Sequence, residues 1–174
     1  MRPSVYLAGP EVFHPAAAAI FERRKNACLQ RDLEPLIPFD GTDGSAEDIY
    51  RFNLALLGRA DGVIANVSPF RGPHCDVGTA FEIGYAAKRG IPIWGFSDSS
   101  ELLSARVAQE GGADLRGHLL EQFDLAENLM IVEALEGQRF MASFEEALAE
   151  AASGLRRPRA PDAGPTRARR FGNC

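Results

Sequence analysis

The sequence predicts a three-layer α/β sandwich: a parallel sheet of about five strands, in the order 2-1-3-4-5, between two layers of helices. Three observations predict it. Runs such as SVYLAG, GVIANV and IPIWGF are almost continuously apolar, as strands are when helices cover both faces of a sheet. Segments with helical periodicity lie between them, and alternating strands and helices fold into a parallel sheet. The 174 residues are 45% hydrophobic, enough for one domain with its own core.

The elements follow in order. Residues 4–9, SVYLAG, form a strand that ends at Gly9-Pro10. Residues 16–31 form a helix with Ile20, Phe21, Ala27 and Cys28 on one face and Arg23 and Lys25 elsewhere. EPLIP (34–38) is a short second strand and FDGTDG (39–44) a turn-rich loop. Ser45 caps the next helix, and Asp48 three residues on completes a capping box. That helix turns Ile49, Phe52, Asn53, Leu56, Leu57 and Ala60 inward, which sets one amide in an apolar stripe. GVIANV (62–67) is the third strand, residues 76–89 the third helix and IPIWGF (91–96) the fourth strand. Residues 119–127 read as helical, and NLMIVEAL (128–135) fits either a strand or a helix. Residues 144–152 form a final helix, with Ser143 as cap and Glu146 completing its box.

In this order the first and third strands are neighbours whose following helices lie on opposite faces. Ligands of open α/β sheets bind in the crevice at such a switch point. The loops that feed it are residues 9–15 and 68–76. The stretch DVGTAFEIGYA (76–86) opens the third helix there. Asp76 fits an N-cap, whose carboxylate takes backbone N–H groups of the first turn; it also fits a second acid of the site. Glu82 lies among Ala80, Phe81 and Ile83, where a charge is costly without a partner or a task. A helical side chain leans toward the N-terminus, so Glu82 reaches over Gly78 toward the crevice, and Gly78 leaves room there. Tyr6 is either core or aims its hydroxyl at Glu82. Asn53 is either a satisfied buried amide or reaches the crevice.

Other classes are excluded. Neither G-x-x-x-x-G-K-[ST] nor G-x-G-x-x-G occurs, which argues against ATP-driven and nicotinamide chemistry. His14, His74 and His118 have no metal-ligand spacing, so no metal is expected. No run approaches a membrane span, and MRPSVYLAGP lacks a signal-peptide core. Three cysteines without C-x-x-C spacing suit a reducing cytoplasm. The net charge of −5 is split: residues 156–174 hold six Arg against one Asp, so the body is strongly acidic, which disfavours nucleic acid as a ligand. That basic, Pro/Arg-rich tail is expected to be disordered, leaving residues 1–155 as the single domain.

Five pieces arrive together: VYLAGPEVF near the N-terminus, the segment Asn53 to Asp61, IANVSPFRG, D-x-G-T-A-F-E-x-G-Y-A, and ENLMI at 127–131. In this combination, over about residues 4–150, the chain resembles the nucleoside 2-deoxyribosyltransferase family. The resemblance implies a cytosolic, flavodoxin-like (Rossmann-like) enzyme without cofactor that moves deoxyribose from a 2′-deoxynucleoside to another base, as in purine salvage. It puts the nucleophile on Glu82, the orienting hydroxyl on Tyr6 and the base- and sugar-contacting acid on Asp76. Asn53 stands where some members have a second acid, a departure that bears on base preference. Asn128 and Met130 match a segment that completes a neighbouring subunit's site, so a homo-oligomer with shared sites is implied. Gly9, Phe13 and Phe70, with Gly78 and Asn53, are the further substrate-binding candidates; Phe13, Phe39 and Phe70 are candidate stacking surfaces for a base. Two rivals remain: an N-glycosidase acting on deoxynucleosides or their 5′-monophosphates, and a non-catalytic nucleotide-binding module.

Overall fold

The structure, a computed structural model, describes residues 2–38 and 44–156. Phe39 and the tail from residue 157 lie outside the described residues. The chain runs β1 (Ser4–Ala8), a 3-10 turn (Pro10–Phe13), α1 (Ala17–Gln30), β2 (Glu34–Leu36), α2 (Ala46–Gly58), β3 (Gly62–Asn66), α3 (Val77–Lys88) and β4 (Ile93–Phe96). An excursion follows, with α4 (Leu103–Arg106), the hairpin strands β5 (Gln109–Glu110) and β6 (Ala113–Asp114), and α5 (Leu129–Val132). It returns through β7 (Phe140–Met141) to α6 (Phe144–Arg156).

The main sheet has the order β2-β1-β3-β4-β7 with every pair parallel. This is the flavodoxin-like arrangement the strand pattern predicted. Alternation along β1 divides the core. Val5 and Leu7 face α1 and α6, packing with Phe21, Ile64, Phe144 and Leu148. Tyr6 and Ala8 face the other layer, with Leu57, Ile83, Ala86 and Leu135. The elements after β1 and β3 therefore cover opposite faces, and the switch point falls between those strands.

Three expectations change. Residues 119–127 hold no helix among the described residues: Leu119 pairs with Ala113 as an isolated bridge, and Leu119 and Phe123 are exposed. With these apolar side chains left in solvent, a helix there would lack the packing that helices of this length need. Residues 128–135 start the short α5, because Asn128 caps it by accepting from Met130 N at 3.0 Å. The fifth strand of the sheet is instead the two-residue β7. In α2 only Leu56 and Leu57, with Ala60 just after, reach the core; Phe52 is exposed and Ile49 and Asn53 are half-buried. The Ser45–Asp48 capping box forms as expected.

Candidate active site

The geometry starts from strand alternation. Tyr6 points into the α3 layer and is fully buried, so its hydroxyl needs an acceptor there. It finds Glu82, one turn and a half into α3, and donates to Oε1 at 2.5 Å. Such a short O–H···O⁻ contact is of the strong, charge-assisted kind. Glu82 Oε2 makes no hydrogen bond among the described residues. Glu82 is the one carboxylate of α3.

Electrostatics set the state of this pair. Burial pushes the Glu82 carboxyl up to about 7; the Tyr6 bond opposes the rise and the Asp76 charge adds to it. Burial, then the Glu82 charge and bond, push the Tyr6 hydroxyl well above its ordinary value. Tyr6 thus stays a donor while Glu82 changes charge near neutrality. A carboxylate shifted to this range by burial is a mark of a functional site.

Asp76 is the N-cap of α3. Its Oδ2 accepts from Thr79 N at 3.0 Å, and Oδ1 makes no hydrogen bond among the described residues. The structure gives a different reason for Gly78. A Cβ there would stand 2.9 Å from Asp76 Oδ2, so the space that the glycine leaves belongs to the Asp76 carboxylate.

The other candidates spread around this centre. Gly9 ends β1 beside Glu11, whose buried Oε2 would lie 2.1 Å from a Cβ at Gly9. Glu11 Oε1 accepts from Arg24 at 2.6 Å and from Asn66 at 2.5 Å. Phe13 and Phe70 stack on each other, centroids 5.5 Å apart, and the Arg71 guanidinium covers both rings. These two rings, with Arg24, Asn66, Ser68 and Ser143, line a cavity of about 690 Å³. That cavity lies on the α1–α6 side, and α3 contributes nothing to its lining. Tyr6 and Glu82 thus meet on the α3 side of the sheet, and this cavity lies on the other. Asn53 is half-buried on α2. Met130 is 71% exposed.

The segment before Asp76 and the segment of Asn128 are joined within this chain by Glu127, a residue that sequence reasoning passed over. Glu127 is 1% exposed. Its Oε1 meets His74 Nδ1 at 2.6 Å and accepts from Asn128 N at 2.8 Å; its Oε2 accepts from Cys75 N at 2.8 Å. The Asn128 amide donates to Glu121, which also takes Leu129 N at 3.0 Å. The signals in sequence were an acid opening ENLMI and a histidine two places before Asp76, neither distinctive alone. Two histidines thus pair with single carboxylates, His118 with Asp114 at 3.1 Å being the other. Among the described residues no three metal-type ligands cluster, and no helix is long and apolar enough to cross a membrane.

Comparison with known proteins places this geometry. Residues 5–130 match the family model described as nucleoside 2-deoxyribosyltransferase. A 2-deoxyribosyltransferase from Leishmania mexicana superposes with a TM-score of 0.78 and 34% identity, over 87% of this chain and 97% of that one. A 2-deoxyribosyltransferase from Bacillus psychrosaccharolyticus shares the fold at TM-score 0.59 and 18% identity, over 87% of this chain and 95% of that one. An uncharacterized protein of Schizosaccharomyces pombe is 36% identical over 115 residues, 60% of this chain; the match spans about half (54%) of that protein's length. With the family model covering well over half of its residues, the chain belongs to the nucleoside 2-deoxyribosyltransferase family.

Proposed function

We propose that this protein transfers 2-deoxyribose between nucleobases through a covalent Glu82 intermediate. The observation that carries the reading is the Tyr6–Glu82 contact, which fixes one carboxylate oxygen at 2.5 Å and leaves the other for attack. Ionised Glu82 adds through Oε2 to C1′ of a 2′-deoxynucleoside. The C1′–N bond breaks, and its electron pair goes to the base nitrogen. Asp76 relays a proton from solvent to that nitrogen, which lets the base leave neutral. The sugar is then held as an ester on Glu82. A second base attacks C1′ from the face just vacated, Glu82 is released as carboxylate, and the acceptor's proton passes to Asp76. Two displacements give overall retention. A substrate without a 2′-hydroxyl suits this route, because that hydroxyl destabilises the developing cation.

Phe13 and Phe70, which line the cavity on the α1–α6 side, are the candidate stacking surfaces for a base, and Asn53 on α2 bears on which base is preferred. No cofactor enters any step. Met130, Val77 and Phe81 are exposed around α3 and α5, which supports a homo-oligomer in which Asn128 and Met130 reach a neighbour's site. Buried thiols at Cys28 and Cys75 suit a cytoplasmic protein with a role in nucleoside salvage.

The test is incubation with a deoxynucleoside, with and without a second base in excess. Formation of the new deoxynucleoside supports the transferase. Release of free base and sugar alone, with the acceptor present, replaces it by an N-glycosidase; the same assay with a 5′-monophosphate separates the two substrate types. Binding without turnover leaves a nucleotide-binding module.

A further inference from the structure

Glu127 is a fully buried carboxylate that the reaction above does not use, and a buried charge is kept only where it is fully bonded. Both its oxygens are spent on two segments far apart in sequence. One is His74-Cys75, directly before Asp76; the other is Asn128. The second segment is itself held from outside: Leu103 N donates to Leu125 O at 2.9 Å, and the Arg106 guanidinium donates to Ala126 O. So the excursion after β4, anchored by α4, delivers one carboxylate to the loop that presents Asp76.

Position matters more for Asp76 than for Glu82. Glu82 is fixed by α3 and by Tyr6. Asp76 is a cap, set by the backbone of the residue before it, and Cys75 N is held by Glu127. We infer that Glu127 is a positioning residue: with His74 it fixes the Asp76 carboxylate where a departing base is protonated. The inference rests on the transferase reading above and adds what sets its acid.

The test exploits leaving groups. An ordinary 2′-deoxynucleoside needs a proton for its base to leave. N7-methyl-2′-deoxyguanosine carries a positive base, which leaves neutral without one. Expected for Glu127→Gln is a fall in kcat of about 10- to 100-fold on 2′-deoxyguanosine, the scale of a misplaced acid. On the N7-methyl substrate the fall stays within about threefold. Glu127→Asp regains part of the loss. His74→Ala, which removes only the half-exposed partner, shows the same split at smaller size and serves if Glu127→Gln does not fold. Equal losses on both substrates, or none on either, overturn the positioning role. A wild-type protein that cleaves neither substrate overturns the transferase reading itself, a distinct result.

Discussion

At the scale of single residues, the site is a carboxylate held away from its ordinary behaviour by burial, with one neighbouring charge adding to the shift and one hydroxyl opposing it. Glu82 has a carboxyl pushed from 4.5 up to about 7 on folding, chiefly by burial. The folded state therefore binds the extra proton between those values, and stability falls as pH rises through that window. The full cost, about 3 kcal/mol, is present above pH 7. Glu82→Gln should thus unfold at a higher temperature than wild type at pH 8 and show little difference near pH 4.5. In the same variant, transfer should fall by about 10³-fold or more, since the nucleophile is gone. Thermal scans at the two pH values and a transfer assay check both halves; near-wild-type transfer in the folded variant sinks the mechanism. In wild type, kcat/KM should rise with pH through about 7 as Glu82 ionises.

Tyr6 gives the complementary residue-scale prediction. Its bond favours ionised Glu82, so Tyr6→Phe should move the acidic limb of the pH–rate profile to higher pH. The maximal rate should also fall, by about 10- to 100-fold, because the attacking carboxylate loses its orientation. An acidic limb that stays in place would show that Tyr6 only packs. This pair was legible in sequence because strand alternation and helical lean place both groups at one edge. Glu127 was not, because nothing local marks a residue whose partners lie about 50 positions upstream.

At the scale of elements, α3 is the part of the site best read from sequence: an Asp cap, a small residue two places on, and an acid one turn later. At Gly78 the structure adds a neighbour that the sequence did not show, since a Cβ there would crowd Asp76 Oδ2. This has a measurable consequence. Alanine is the better helix former by about 1 kcal/mol, so Gly78→Ala should not weaken α3. Its Cβ, however, would meet Asp76 Oδ2 at 2.9 Å and push the carboxylate aside. The expected outcome is an unchanged or raised midpoint with transfer down about tenfold or more. A loss of midpoint without a loss of rate would contradict this account. Elements were legible where periodicity ran for a dozen residues, as in α1 and α3. They were not where tertiary contacts decide, as in β7, two residues long, and in residues 119–127, where Glu121 bonds Asn128 and Leu129 and Glu127 reaches back to His74 and Cys75.

At the scale of the whole molecule, the sheet order was read from the alternation of apolar strands with helices, so the switch point was predictable. Whether a second copy meets this edge is settled by surface, which periodicity describes poorly. Along α3, Val77 and Phe81 are one turn apart and 85% and 52% exposed. Tyr50 of α2 packs on Phe81, and Met130 of α5 is exposed near the same helix. A set of large apolar side chains beside a reactive carboxylate marks a face that a second copy can cover. The Asn128 amide is engaged in its own chain by Glu121, while Met130 is free to reach outward. If a neighbour's Asn128–Met130 segment completes each site, Glu82→Gln and Asn128→Ala lie in different chains of one site. Mixing the two variants under subunit exchange should then create sites with both residues intact, and activity should exceed the sum of the parents. Activity that stays at the sum, with exchange shown by mass, would confine Asn128 to its own chain.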